Sequence, residues 1–237
     1  MTVVRSILFN ILFMASLAAL GVVCLPVLLV SRPAARRVTL MSSRWILWLA
    51  RQLLGLRVDL RGRRHIRTEP AIYAAKHQSA LETFLLPVVL SQADFVVKRE
   101  LLMIPIAGWF IAALGTVPVD RGGGGRALKG MLRHARASVA DGRSILIFPE
   151  GTRTEPGAER PYHPGVAALY ADLGLPVVPI ALNTGLYWRR RGFLKHAGTA
   201  IVAFLEPILP GLDRGAFMTE LHDRIERASA QLLSETG

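Results

Sequence analysis

Ala71-Ile72-Tyr73-Ala74-Ala75-Lys76-His77-Gln78-Ser79-Ala80-Leu81-Glu82 is the stretch on which the reading of the fold turns. An apolar run, a short polar turn and the start of a helix follow one another without a gap. The run reads as a buried strand, and Ser79-x-x-Glu82 is a helix-start signature. A strand that ends where a helix begins is the unit of an α/β domain. Such domains place their sites at the carboxyl edges of strands.

Outward from this unit the pattern repeats. Short β-rich runs predict strands over 58–61, 71–75, 95–98, 116–119, 144–148, 177–181 and 199–205. Helical patterns fall over 80–90, 101–114, 126–140, 166–173 and 214–234. The alternation predicts an α/β fold with a largely parallel central sheet flanked by helices. There is no internal repeat. The glycine run 122–125 lacks the Gly-Lys-Ser/Thr of a phosphate-binding P-loop and reads as a mobile loop, and 154–164 is a loop rich in Pro, Gly and charge.

Residues 7–30 contain no charged side chain, and Asn10, Ser16 and Cys24 supply their only side-chain polarity. As a helix this run would extend roughly 36 Å against a hydrocarbon core of about 30 Å. A cleaved signal peptide fits less well. The run stays apolar to Val30 and then meets Arg32, Arg36 and Arg37, a stop-transfer pattern. Pro26 permits a kink, so the segment either spans or dips into one leaflet. A second helix is predicted over 40–56, with Arg37, Arg44 and Arg51 on one face beside Trp45 and Trp48. That face suits the headgroup level of a membrane, and it equally suits an amphipathic helix packed on the domain. The expected division is 1–57 as membrane-anchoring helices and 58–237 as the catalytic domain. If the run spans, positive charge after it puts that domain on the cytoplasmic side of the inner membrane.

Composition agrees. The 237 residues are 51% hydrophobic, and 29 Lys+Arg against 17 Asp+Glu give a net charge of +12. So basic a chain needs an anionic partner, and the apolar run favours membrane phosphates over nucleic acid. A single cysteine, Cys24, excludes an intramolecular disulfide or a cysteine metal cluster. Neither metal-ligand spacing nor a dinucleotide fingerprint appears, so no metal and no cofactor is expected.

Three constellations carry chemistry. His77 with Glu82 offers a base and the carboxylate that orients it, although Ser79-x-x-Glu82 alone would serve as a capping box. Phe148-Pro149-Glu150-Gly151-Thr152-Arg153-Thr154 displays a carboxylate and a guanidinium on a sharp loop after a strand. Arg suits bidentate phosphate recognition, but the loop alone is equally a solvated turn. Lys98-Arg99-Glu100-Leu101 and Val119-Asp120-Arg121 put cations at the ends of neighbouring strands, where charge also serves to blunt an edge.

In this order, and followed by Val177-Val178-Pro179-Ile180-Ala181-Leu182-Asn183, the blocks resemble the bacterial 1-acylglycerol-3-phosphate acyltransferase family over residues 71–185. The family signature is His-x-x-x-x-Asp, Lys-x-Glu-Leu with a later Asp-Arg, Phe-Pro-Glu-Gly-Thr-Arg, and a Val-Pro-Ile block. The departure is Glu82 in place of Asp, which keeps the charge and adds one methylene. The resemblance implies that His77 deprotonates the sn-2 hydroxyl of lysophosphatidic acid, which attacks the thioester of acyl-CoA or acyl carrier protein to give phosphatidic acid. It assigns Glu82 to orient His77, and Lys98 and Arg153 to hold the phosphate, with Arg121 a weaker candidate. Glu150 would position Arg153 or the glycerol hydroxyl, and Gly151 and Thr152 belong to the same substrate-binding loop. No acyl-enzyme is required, since Cys24 is remote and no Gly-x-Ser-x-Gly elbow is present. Acylation of another lysolipid, such as a lyso-aminolipid, is the alternative. A non-catalytic lipid-binding protein is the reading from another class.

Overall fold

A computed structural model describes residues 2–105, 107–120 and 124–236. The apolar run forms α1 (Thr2–Val30). Ser31 ends it and caps α2 (Arg32–Leu49), with extended backbone, its Oγ accepting from Ala34 N–H and a proline in the first turn. The sequence reading began this helix at residue 40 and overlooked that N-cap signal. Its last turn widens into a π-helical segment, Ala50–Leu54, which Gly55 closes in the left-handed region at φ 70°. Leu56, read as helical, already opens the first strand.

The remaining elements are β1 (Leu56–Arg61), β2 (Ile72–Ala75), α3 (Leu81–Val89), β3 (Ala93–Lys98), α4 (Ala107–Ala113), β4 (Thr116–Val119), α5 (Gly124–Ala140), β5 (Ser144–Ile147), α6 (Gly165–Leu173), β6 (Val177–Leu182), β7 (Gly198–Phe204) and α7 (Arg214–Ser234). Every predicted strand is present. The helix expected over 101–114 is broken into a 3-10 turn, Arg99–Met103, and α4. Pro105 forces Ile104 out of the helical region, to ψ 121°. Of the predicted glycine loop, residues 122 and 123 lie outside the described residues, whereas Gly124 and Gly125 open α5.

The seven strands lie in the order β1-β7-β6-β2-β5-β3-β4. From β6 to β4 all neighbours are parallel; β7 runs antiparallel to β6, and β1 pairs parallel with β7. β2 is buried along its whole length, as a central strand covered on both faces must be. Ile72 and Ala74 point to one core, with Ile145, Ile147 and Val177 and with Met131, Val166, Phe217 and Leu221 of the covering helices α5, α6 and α7. Tyr73 and Ala75 point to the other, with Leu146, Val178 and Ile180 and with Leu85 and Leu86 of α3.

The two N-terminal helices lie against this second side. Phe9 of α1 is fully buried and meets Trp188 edge-on, ring centroids 5.2 Å apart, while Phe13 packs edge-on against Phe84 at 5.7 Å. Ser6 Oγ accepts from Lys195 N–H at 3.0 Å. Arg36, expected in a stop-transfer cluster, instead donates to the carbonyls of Leu114, Ser91 and Ala93 and lies 3.6 Å from Asp94. Burial pushes its pKa below the ordinary Arg value, the Arg143 cation adds to that, and Asp94 opposes it. The expected basic stripe is present: Arg37, Arg44 and Arg51 are all exposed. Trp45 and Trp48 stack beside it at 4.9 Å, each about half exposed.

Candidate active site

β2 is flanked by β6 and β5, all three parallel, so their carboxyl ends converge. His77 follows β2, the Phe148–Arg153 loop follows β5, and Asn183-Thr184-Gly185 follows β6. This is where the sequence placed the site.

His77 Nδ1 lies 3.0 Å from Glu82 Oε1. Glu82 stands in the first turn of α3, fully buried, while the imidazole is 14% exposed. The same Oε1 accepts from the backbone N–H of Gln78 at 2.7 Å and of Ser79 at 2.5 Å. Oε2 accepts from Thr184 Oγ1 at 2.7 Å. Oε1 thus performs half of the capping box and orients the imidazole as well. Ser79 Oγ does not complete the box, since it accepts from Leu81 N–H at 3.0 Å. A carboxylate that only accepts fixes the tautomer: Nδ1 carries the proton and Nε2 keeps its lone pair for a substrate hydroxyl.

The backbone of His77 is clamped from the Phe148 loop. Its N–H donates to Glu150 Oε2 at 2.8 Å, and its carbonyl accepts from Thr154 N–H at 2.7 Å. The Phe148 ring stacks on the imidazole, centroids 4.1 Å apart and planes 22° from parallel. Gly151 makes the turn possible, at φ 66°, with its N–H donating to Phe148 C=O at 3.0 Å. Gly185 is fixed by space: a Cβ there would sit 2.8 Å from Pro156 Cγ and 3.0 Å from Gln78 Cβ.

Glu150 was expected to position Arg153 or the glycerol hydroxyl; its buried carboxylate ion-pairs with Lys76 Nζ at 3.1 Å. Lys76, also buried, reaches both carboxylate oxygens of Glu226 in α7, at 2.7 and 2.6 Å, and the Ala158 carbonyl at 3.1 Å. Tyr162 donates to Glu226 Oε1 at 2.8 Å. Burial, with Glu226 adding, pushes the Tyr162 pKa far above the ordinary phenol. One lysine and two glutamates thus brace the backbone that carries His77.

Arg153 is half-buried, and among the described residues nothing bonds its guanidinium. Burial pushes its pKa down, the Glu82 carboxylate opposes that, and the Arg190 cation pushes it down further. Gly151 and Thr152 are half-buried on the same loop.

A family model described as Acyltransferase matches residues 57–183. The chain belongs to the acyltransferase family. Among curated acyltransferases, 1-acyl-sn-glycerol-3-phosphate acyltransferase of Pseudomonas aeruginosa is 34% identical over 235 residues, 98% of this chain and 91% of the relative. Lyso-ornithine lipid O-acyltransferase of the same organism is 29% identical over 208 residues, 78% of this chain and 77% of that one. The crystal structure of the 1-acyl-sn-glycerophosphate (LPA) acyltransferase PlsC from Thermotoga maritima shares the fold, with a TM-score of 0.77 at 22% identity, covering 98% of this chain and 95% of that one.

Within this acyltransferase the expected residues separate into two groups. His77, Glu82, Gly151, Thr152 and Arg153 converge around the ends of β2 and β5. Lys98 stands two strands from β2, half-exposed, and pairs with Glu100 at 3.2 Å. Arg121 lies outside the described residues. Sequence reasoning missed Thr184, Lys76, Glu226 and Arg190. Thr184 directly follows the recognised Val-Pro-Ile block, which was the available signal. Nothing local marked the other three.

Proposed function

We propose that this enzyme transfers a fatty acyl group from a thioester donor to the sn-2 hydroxyl of lysophosphatidic acid, giving phosphatidic acid for phospholipid synthesis. The observation that carries the reading is the oriented imidazole in one site with a guanidinium that no carboxylate ion-pairs among the described residues: a base for a hydroxyl and a cation for a phosphate. His77 Nε2 takes the hydroxyl proton as the oxygen attacks the thioester carbonyl carbon. The tetrahedral intermediate collapses, the carbon–sulfur bond breaks, and the leaving thiolate takes the proton from the imidazolium. Glu82 stabilises that imidazolium without leaving its cage of donors. Arg153 holds the phosphate, with Lys98 and Arg121 as further candidate cations, and Gly151 and Thr152 shape the loop around the acceptor. The donor is acyl-CoA or acyl carrier protein.

Residues 1–57 act as the membrane-anchoring unit and 58–237 as the catalytic domain. α1 is long and apolar enough to cross a membrane by length and composition. Its outer flank exposes Val4, Ile7, Ile11 and Met14, and Met103 and Ile104 stand exposed near α4. Phe9 and Phe13 hold the inner flank of its first half against the domain, so only the outer flank of that half is available to lipid. The helix pair therefore dips into one leaflet of the inner membrane with the domain on the cytoplasmic side.

Thiol release from acyl-CoA, measured with purified protein and lysophosphatidic acid, tests the reading, with acyl carrier protein as a second donor. The lyso-ornithine lipid relative supplies the second acceptor to compare. Turnover of a lyso-aminolipid in preference to lysophosphatidic acid would replace the acceptor, and no thiol release with either would remove the enzyme reading. A lipid-binding scaffold has no need of an oriented imidazole.

A further inference from the structure

The loop 183–197 follows β6, on the side of β2 away from β5. It is anchored at three points. Thr184 donates to Glu82, and Gly185 N–H donates to Gln78 Oε1 at 3.1 Å. Trp188 is buried against Phe9, Phe13 and Phe84. Lys195 meets Ser6 through its backbone N–H. Between the last two anchors stand Arg189, Arg190 and Arg191. The outer two are exposed, whereas Arg190 is half-buried and its Nη1 donates to the Arg153 carbonyl at 3.0 Å.

That bond occupies one of the five N–H donors of a guanidinium. Among the described residues no carboxylate pairs with Arg190 or with Arg153, in a loop pair that also borders the dyad. Glu82 attracts Arg153 without ion-pairing with it, and two partly desolvated cations held together with no paired acid are complementary to a dianion. Resting on the lysophosphatidic acid reading, we infer that Arg190 is a second phosphate-binding residue. With Arg153 it forms a two-guanidinium seat for the terminal phosphate monoester of the acceptor, and it selects such head groups over zwitterionic or amine-bearing ones. The charges sense each other, since Arg190 lowers the proton affinity of Arg153, and a bound phosphate relieves that repulsion. The seat lies on both strands next to His77, β6 and β5, whereas Lys98 is farther along the sheet and paired with Glu100.

Arg190→Gln, Arg190→Lys and Arg190→Met in the full chain test this, with initial rates in mixed micelles against lysophosphatidic acid and acyl-CoA varied in turn and thermal melting as the check of fold. Gln and Met are expected to raise the KM for lysophosphatidic acid about ten- to a hundredfold, the range for losing a charge-assisted bond. The KM for acyl-CoA stays unchanged, and Lys falls between wild type and Gln. If Gln restores what Met loses, Arg190 only latches the Arg153 carbonyl and the inference is overturned. A defect in the acyl-CoA KM overturns it too, by moving Arg190 to the donor side. Should Met not fold, the comparison of Gln with Lys decides alone. A wild-type chain inert toward lysophosphatidic acid but active on a lyso-aminolipid overturns the acceptor reading itself, before any variant is made.

Discussion

One carboxylate oxygen of Glu82 faces three donors: the imidazole Nδ1 and the backbone N–H groups of Gln78 and Ser79. Capping and orienting are therefore not rival roles, and the helix start that positions the dyad is built from the dyad. Glu82→Gln keeps an acceptor for these donors while removing the charge that favours imidazolium. We expect it to fold with a near-normal melting temperature and to lose about 10²–10⁴-fold in kcat/KM, the range of His77→Ala. Activity near wild type would reduce Glu82 to a cap. Glu82→Asp keeps the charge on a shorter arm and is expected to lie between. Arg153→Lys retains the cation but not the planar fork, so the KM for lysophosphatidic acid should stay raised when each substrate is varied separately.

At the scale of elements, α7 reaches the site from the far face of the sheet. Glu226 meets Lys76, Lys76 meets Glu150, and Glu150 accepts from the N–H of His77. Removing the cation leaves two carboxylates facing each other in the core. Lys76→Met is accordingly expected to cost about 3–5 kcal/mol of folding stability, read from denaturant unfolding. Glu226→Gln is milder and should lower kcat more than either KM; equal loss of stability with intact kcat would make the network structural only. This brace was invisible in the sequence because its members are separated by 73–150 positions. What was legible had local causes. β2 and β5 are uninterrupted apolar runs, and α7 matches its expected bounds of 214–234; Asp213 caps it, accepting from Gly215 and Ala216 N–H at 2.8 and 3.0 Å. The start of α2 was missed because the apolar run masked Ser31, and the pairing of Glu150 because its partner, Lys76, follows a different strand.

At the scale of the molecule, one flank is apolar along α1 and edged by the basic stripe of α2. The full chain should float with phospholipid vesicles and remain bound in high salt, because apolar immersion is not screened. Arg44→Gln with Arg51→Gln should weaken binding to anionic vesicles at low ionic strength by about 1 kcal/mol per lost cation and leave neutral vesicles unaffected. An unchanged flotation profile would place the stripe in water. Loss of the wild-type chain from vesicles by salt would remove the immersed helix.

The imidazole of His77 lies nearly flat on the Phe148 ring, whereas His222 meets Tyr162 at 59°. Protons held above the face of a benzene ring are shielded by its circulating electrons. The carbon-bound protons of His77 should therefore resonate upfield of the other histidines in the chain, giving the reacting group a built-in magnetic signature. Phe148→Leu should return that signal to the common histidine region of a proton–carbon spectrum, and a signal already there in the wild type would disprove the stack. With the resonance assigned in this way, the arrival of an acceptor at a single imidazole is observable within a chain of 237 residues.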